Sequence, residues 1–198
     1  MRILIVTAHP SSQGFAHQIA RAYQQGAEWA GHQVEILDLY RSPVRQDYLE
    51  FEDRRDWSKG EGERTRMQAE IAWADELVFV YPLWWGGPPA ILKNWIDQNL
   101  TSGFAFRWDK PWYPTALQLL PTRLLKGKQA RLFITHDAYK LLYYLLLLPF
   151  ITIWWLFILK FCGIKLASFK LFGRMRWQGE DRRRRWLEQV KRAAQNTR

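Results

Sequence analysis

Two tryptophans followed by two glycines, Trp84 to Gly87, form the stretch of this sequence best suited to chemistry. Indole side chains offer flat apolar surface to a planar ring, and glycines let backbone amides approach the polar edge of such a ring. The alternative is that both indoles only fill a core, as buried aromatic side chains often do. These residue types therefore indicate either a site for a planar ring or a packed aromatic core.

A second candidate site is the polar loop from Ala8 to Gly14, which contains His9. The loop follows an apolar run and precedes a helical stripe of apolar residues that starts at Phe15. We expect Ser11 or Ser12 to cap that helix, whose free N–H groups would then bind an anion such as a phosphate. His9 is either a phosphate contact or an ordinary loop histidine.

Five apolar runs predict buried strands that bring these segments to one edge of a sheet. Helical stripes between the runs predict a doubly wound α/β fold, with a five-stranded parallel sheet and helices on both faces. Ligands of such sheets bind beyond the carboxyl ends of the strands, where Pro82 ends the central run. We expect a single domain over residues 1–198. The predicted strands are Arg2–Thr7, Gln33–Leu39, Leu77–Tyr81, Ala130–Thr135 and Lys165–Phe172, and the predicted helices begin near Phe15, Gly62, Pro88, Ile151 and Glu180.

The segment YPLWWGGPPAILKNWIDQ resembles the PLxWxxxPAxLKxWxD signature of the flavodoxin-like NAD(P)H:quinone oxidoreductases. That family includes the DT-diaphorase-type enzymes and the ancillary proteins of potassium efflux systems. The segment from Ala8 to Phe15 is similar to the family's AHPxxxSF motif, and weaker agreement extends over most of the chain. The resemblance implies a flavodoxin-like fold, with FAD, or alternatively FMN, passing hydride from NAD(P)H to a quinone or similar acceptor.

The resemblance also implies which residues contact the cofactor. Backbone amides around Leu83 to Gly86 are expected to bond the polar edge of the flavin ring. The chain departs from the family at Gly14, where serine is common, and this puts one hydroxyl contact to the phosphate region in doubt. The implied cofactor-binding residues are His9, Phe15, Ala16, Pro82, Leu83, Trp84, Trp85, Gly86, Thr135, His136 and Asp137.

The segment from Thr135 to Tyr139 is the clearest departure from the family, which usually has a Thr-Gly-Gly loop here. We interpret Thr135, His136 and Asp137 as the Thr-x-Asp turn of one branch of the family. His136 and Tyr139 are the candidate catalytic residues, because each can donate a hydrogen bond to a reduced quinone. The alternative is that both residues only shape the loop.

Composition restricts the compartment and the partners. A net charge of +10 attracts anions, but the sequence carries no nucleic-acid-binding motif and no metal-ligand spacing, so we expect neither nucleic acid nor a metal. Cys162 is the single cysteine, and the N-terminus leads into a strand rather than an apolar signal. Both features indicate a cytoplasmic protein.

An uncharged apolar run extends from Leu141 to Leu159 and would be about 28 Å long as a helix, close to the thickness of a bilayer core. Pro149 would kink such a helix, and a crossing would separate the last strand from its sheet. We therefore expect an apolar crossover over residues 141–162. Its surplus apolar surface is expected to meet the second subunit of a homodimer or, with the basic residues nearby, the inner face of the membrane.

The predicted function is that of a flavin-dependent NAD(P)H dehydrogenase (quinone). One alternative is a flavin-binding regulatory subunit of a membrane transporter, of the potassium-efflux ancillary type, that docks through the apolar run. Another alternative is a one-electron flavodoxin-like carrier. The basic charge opposes that last function, because flavodoxins are usually acidic.

Overall fold

A computed structural model describes residues 1–50, 53, 57–108, 121–138 and 150–197 of the chain. Within them the chain alternates between strands and helices along most of its length. The strands are β1 (Arg2–Thr7), β2 (Gln33–Asp38), β3 (Glu76–Pro82), β4 (Phe106–Arg107), β5 (Thr122–Arg123), β6 (Gln129–Thr135) and β7 (Lys165–Phe172). The helices are α1 (Phe15–Trp29), α2 (Glu61–Trp73), α3 (Ala90–Asn99), a π-helix (Ile153–Lys160), a short 3₁₀ turn (Met175–Trp177) and α4 (Glu180–Gln195).

The main sheet has the order β2-β1-β3-β6-β7, and all of its strands are parallel. Every residue of the central strand β3 is buried, as its continuous apolar sequence predicts. The register places Pro82 beside Thr135 and Thr135 beside Phe172, so the carboxyl ends of three strands meet at one edge. The predicted five-stranded parallel sheet is confirmed.

Helices cover both faces of the sheet, as predicted. On one face α1 and α4 pack over alternate strand residues such as Ile5 and Val80. On the other face α2, α3 and the π-helix pack over the intervening residues, including Phe79 and Leu132. The strand side chains therefore alternate between two apolar cores.

Three local predictions were wrong or incomplete. Neither serine caps α1, because Gly14 occupies the N-cap position and the helix has no side-chain cap. Helix α3 begins at Ala90 rather than at Pro88, with Pro89 as its N-cap. The small antiparallel ribbon of β4 and β5 was not predicted, because its two-residue strands are too short to show a hydrophobic period.

The crossover between β6 and β7 is helical over residues 150–162, as predicted for its second half. Its middle has π-type hydrogen bonding, and Trp154 and Leu159 point into the core. Among the residues that the structure describes, no helix combines the length and the apolar character needed to cross a membrane.

A buried polar network joins the amino-terminal ends of β3 and β6. Glu76 has no solvent exposure and accepts hydrogen bonds from Arg131 (2.7 Å), Tyr23 (2.6 Å) and Gln129 (3.1 Å). The Tyr23 hydroxyl also contacts Thr197 near the end of the chain. Burial, and then the nearby Glu76 carboxylate, raise the pKa of Tyr23 well above its ordinary value, so it remains a hydrogen-bond donor. The network lies at the edge of the sheet opposite to the strands' carboxyl ends.

Candidate functional site

An open cleft of ≈ 610 Å³ lies at the carboxyl ends of the central strands. It brings together nearly all the residues that the sequence analysis assigned to a cofactor. Gly86 lies in the adjoining turn without lining the cleft, and Tyr139 lies outside the described residues. The predicted residues that line the cleft are His9, Phe15, Ala16, Pro82, Leu83, Trp84, Trp85, Thr135, His136 and Asp137.

The loop after β1 holds the His9 ring over Gly14. Nδ1 of His9 lies 3.1 Å from the Ser11 amide nitrogen and 3.0 Å from the Ser11 carbonyl oxygen, so in either tautomer Nε2 is the nitrogen left for a ligand. A Cβ at position 14 would lie 2.4 Å from the ring atoms Cε1 and Nδ1. The family's serine therefore cannot occupy this position while His9 keeps its place.

The first turn of α1 presents free amide donors to the same cleft. The Gly14 carbonyl accepts the amides of His17 and Gln18, whereas the Phe15 and Ala16 amides have no acceptor among the described residues. The first-turn N–H groups of a helix carry its positive partial charge, and such a turn favours an anion. The free first-turn amides on which the predicted phosphate site depends are therefore present, although no serine caps the helix.

Arg41 holds this loop from outside. Its guanidinium donates to the carbonyl oxygens of Pro10 (2.5 Å) and His9 (3.4 Å), and Asp38 at the end of β2 fixes the guanidinium through a 2.9 Å ion pair. His17 lies beside this pair, with Nε2 3.8 Å from the Asp38 carboxylate. These contacts tie the loop after β1 to the end of β2. The sequence analysis missed Arg41, which no motif marks.

The turn after β3 is a tight reversal closed by two hydrogen bonds of 2.9 Å between Trp84 and Gly87. Trp85 and Gly86 have φ angles of 50° and 76°, the left-handed pair of a type I′ turn. The Leu83 amide donates to the Thr135 carbonyl (2.8 Å), and the Trp84 amide to Gly87. Of the four amides expected to face a ring edge, only those of Trp85 and Gly86 have no acceptor among the described residues.

Trp85 combines an unfavourable backbone with full exposure of its side chain. A bulky L-residue in the left-handed region is strained, and no burial of the indole compensates that strain within the chain. Residues held in this way cluster at ligand sites. The geometry therefore favours the ring-platform interpretation of Trp85 over the core-packing one.

The opposite wall of the cleft is the segment from Thr135 to Asp137, which the loop after β7 supports. The His136 amide donates to the Phe172 carbonyl (2.9 Å), and Asp137 accepts the Arg176 amide (3.0 Å) and pairs with the Arg176 side chain (2.9 Å). The His136 ring packs on Gly173, where a Cβ would lie 2.7 Å from it. Burial lowers the pKa of His136 below its ordinary value, so the ring is neutral at physiological pH.

Several residues that line the cleft were not predicted from the sequence. They lie around the start of α1 and in the last third of the chain. Arg183, at the start of α4, donates to the Met175 carbonyl (2.7 Å) and places positive charge beside the cleft. In the sequence Arg183 belongs to a run of four arginines, Arg182 to Arg185, whose spacing does not distinguish a cleft residue from a solvated one. The additional lining residues are Gln13, Gly14, Gln18, Ala138, Met175, Arg176 and Arg183.

The donor set of this cleft fits a phosphorylated flavin. Free amides and His9 at the α1 end suit a phosphate, and the amides of Trp85 and Gly86 suit the polar edge of a flat ring. Trp84 and Trp85 provide the apolar surface on which such a ring packs. One cleft thus offers both kinds of contact.

Comparison with known proteins gives consistent relatives. A family model described as a flavodoxin-like fold matches residues 1–197. A Haemophilus influenzae protein named an NAD(P)H oxidoreductase is 34% identical over 87% of this chain and 84% of its own length. A ribosyldihydronicotinamide dehydrogenase-like protein of Penicillium crustosum is also 34% identical, over 71% of this chain, but the chain spans only 59% of that relative.

Among solved structures, an NAD(P)H:quinone oxidoreductase from Methanothermobacter marburgensis superposes with a TM-score of 0.79. It is 26% identical, and the match covers 99% of this chain and 96% of the other. An FMN-dependent NADH-azoreductase from Bacillus anthracis, solved with FMN, has a TM-score of 0.75 at 16% identity, over 98% and 97% of the two chains, and shares the fold.

Proposed function

This chain belongs to the family described as a flavodoxin-like fold, and on that premise we propose that it is a flavin-dependent NAD(P)H:quinone oxidoreductase. Its relatives include a protein named an NAD(P)H oxidoreductase. The observation that carries the proposal is the pairing of free backbone donors in one cleft. The Phe15 and Ala16 amides belong to lining residues at one end of the cleft, and the Trp85 amide belongs to a lining residue of the turn after β3, with the free Gly86 amide in the adjoining turn. This pairing matches a ligand with a phosphate and a polar flat ring.

A flavin, when bound, accepts a hydride from NAD(P)H and delivers it to an acceptor such as a quinone. The protein's part is to bind and to orient. The Trp85 amide, with that of Gly86 in the adjoining turn, would hold the ring's polar edge and would stabilise negative charge there, because fixed dipoles need no reorganisation when charge develops. The α1 amides and Nε2 of His9 hold the phosphate.

His136 has a positioning role in this proposal. Its buried neutral ring packs against Gly173, and its backbone joins the loops that follow β6 and β7. A neutral imidazole can also donate a hydrogen bond to a bound quinone, so His136 remains the catalytic candidate among the described residues.

We propose FAD as the flavin, on the motif around His9, with FMN as the alternative. Titration of the flavin-free protein with FAD, FMN and riboflavin tests this assignment, with flavin fluorescence as the signal, and tighter binding of FMN than of FAD would favour the alternative. We expect FAD and FMN to bind at least about tenfold more tightly than riboflavin, because riboflavin lacks the phosphate that a helix N-terminus would hold. Equal affinity for all three would remove the phosphate site from the account, and no binding would refute the proposed function.

The proposed setting is the cytoplasm, with a homodimer as the proposed assembly. The second candidate function, a flavin-bearing regulatory subunit of a membrane transporter, is favoured by one observation, the exposed apolar side of the π-helix. Co-purification with a membrane protein, together with failure of NAD(P)H to reduce the bound flavin, would support that candidate against the free enzyme.

A further inference from the structure

A second cavity, of ≈ 200 Å³, is lined by the loop that follows β2 and by the helices α2 and α3. Its apolar walls are Leu39 and Val44 from that loop, Met67 from α2 and Ile91 from α3. None of the described residues lines both this cavity and the cleft at the carboxyl ends of the strands. The cavity is therefore separate from the cleft.

Trp95 of α3 brings a buried hydrogen-bond donor to the wall of this cavity. Its side chain is 2% exposed, and its indole Nε1 has no acceptor among the residues that the structure describes. Buried polar groups are nearly always hydrogen-bonded, because a buried N–H without an acceptor has lost its water partner and gained no other. An acceptor atom bound in the cavity would remove this cost.

Side-chain hydrogen bonds fix the loop after β2 against α3. The Asn94 side-chain amide donates to the Asp47 carbonyl (3.0 Å), and its oxygen accepts the Leu49 amide (3.3 Å). Gln46 and Asn99 exchange two further hydrogen bonds, of 3.1 and 2.8 Å. Closing the cavity by moving the loop would break these bonds, so they hold the cavity open.

The size and the charges of the cavity restrict its ligand. An apolar cavity of about 150 Å³ accommodates benzene, so ≈ 200 Å³ is enough for one aromatic ring with a small substituent. The charged lining residues Arg45 and Asp47 have opposite signs and are exposed, so they favour neither an anion nor a cation. The indole N–H adds the requirement for an acceptor oxygen.

We propose that this cavity binds a neutral one-ring aromatic compound whose carbonyl oxygen accepts a hydrogen bond from the Trp95 indole. The apolar walls bury the ring, and the hydrogen bond fixes its orientation. Binding at this cavity requires no flavin.

Acetophenone is a probe of this class, and the ¹H–¹⁵N spectrum of the indole groups in the full-length protein records its binding. The 12 tryptophans give one indole signal each, and Trp95→Phe identifies the signal of Trp95. We expect acetophenone to move this signal downfield in a saturable way, because a new hydrogen bond deshields the proton. The Trp29 signal should stay in place, since Trp29 is 76% exposed on α1, which covers the other face of the sheet. A Trp95 signal that does not move up to the solubility limit of acetophenone would overturn the proposal.

Ethylbenzene is the matched ligand without an acceptor. Both affinities are measured from the rise in melting temperature with ligand concentration, because a ligand of the folded state stabilises it. Trp95→Phe keeps an aromatic ring but removes the N–H. The affinity for acetophenone relative to that for ethylbenzene should therefore fall about fivefold in this variant, the worth of one net hydrogen bond. An unchanged ratio would contradict the role given to Trp95.

Val44→Phe should weaken acetophenone binding at least about tenfold, because the larger side chain occupies the cavity. Ile36→Phe is the matched control, since Ile36 is 39% exposed on β2 and does not line the cavity. That control should bind like the wild-type protein. Binding that survives Val44→Phe would place the ligand elsewhere and overturn the proposal. Should Trp95→Phe fail to fold, Val44→Phe and its control still decide the outcome.

Discussion

Replacing Trp85 with asparagine should make the protein more stable and at the same time weaken its ligand binding. Trp85 is fully exposed, so its indole contributes no burial to the fold, yet its φ of 50° is unfavourable for a bulky residue. Left-handed backbone costs an L-residue about 1–2 kcal/mol. Asparagine tolerates this conformation, and the substitution would place an Asn-Gly pair, the preferred sequence of a type I′ turn, at the centre of this reversal.

The expected stabilisation is about 1 kcal/mol, which corresponds to a rise in the melting temperature of about 2–4 °C for a chain of this size. Stacking of a flat ring on an aromatic side chain is worth about 1–3 kcal/mol, so loss of the indole should weaken flavin binding, or raise the KM for the quinone, by about fivefold or more. The first effect is measured by thermal unfolding of the flavin-free protein. The second is measured by fluorescence titration and steady-state kinetics.

Trp85→Phe is the matched control, because it keeps both the aromatic ring and the unfavourable φ. It should leave the melting temperature and the flavin affinity close to those of wild type. A Trp85→Asn protein that melts at or below the wild-type temperature would refute the strain argument. Unchanged affinity and KM would refute the role of Trp85 as a ring platform.

Three further substitutions test the rest of the site and the fold. Gly14→Ser should displace the His9 ring, because two of its atoms would lie 2.4 Å from the new Cβ. FMN and FAD binding should then weaken about tenfold, the worth of a charge-assisted hydrogen bond. Gly14→Ala should do the same, and tight binding by either variant would show that His9 is dispensable. Arg41→Met should weaken FMN binding about tenfold through two lost carbonyl contacts and leave riboflavin binding unchanged. Arg41→Lys should restore FMN binding in part. An equal loss of affinity for both flavins would indicate general damage to the fold. Glu76→Gln should lower the free energy of unfolding, measured by urea titration, by about 3 kcal/mol, because it leaves the Arg131 charge buried without its partner. A loss below about 1 kcal/mol would mean that the network is better solvated than its burial indicates.

The central part of the fold was predictable because its signals are local and strong. β3 is a continuous buried run, and the apolar positions of α1 from Phe15 to Ala27 follow a helical period. In a doubly wound sheet these two facts bring the β1–α1 loop and the Trp84–Gly87 turn to the same edge. The cleft therefore contains most of the residues named from the sequence.

The remaining features depend on contacts that are distant in sequence. Arg41 reaches the loop after β1 from the end of β2, and Arg183 enters the cleft from α4. Neither position has a spacing that distinguishes it from a solvated arginine. The serine cap predicted for α1 is absent for a local reason, because the helix begins after Gly14 and Ser11 and Ser12 lie before its N-cap position.

The amide assignments needed the structure for a different reason. Any residue of the turn after β3 can in principle donate to a ligand, but β6 takes the Leu83 amide and the turn's own closure takes that of Trp84. Backbone hydrogen bonds therefore occupy the Leu83 and Trp84 amides and leave those of Trp85 and Gly86 available to donate to a ligand.

We propose that this cleft holds a flavin that exchanges hydride with NAD(P)H and a quinone. The most direct test of this proposal is the absorbance spectrum of the flavin-loaded protein under anaerobic conditions, recorded before and after NADPH and again after a quinone is added. We expect NADPH to bleach the flavin in one two-electron step and the quinone to restore its colour. Flavin that stays oxidised with both NADPH and NADH would contradict the account.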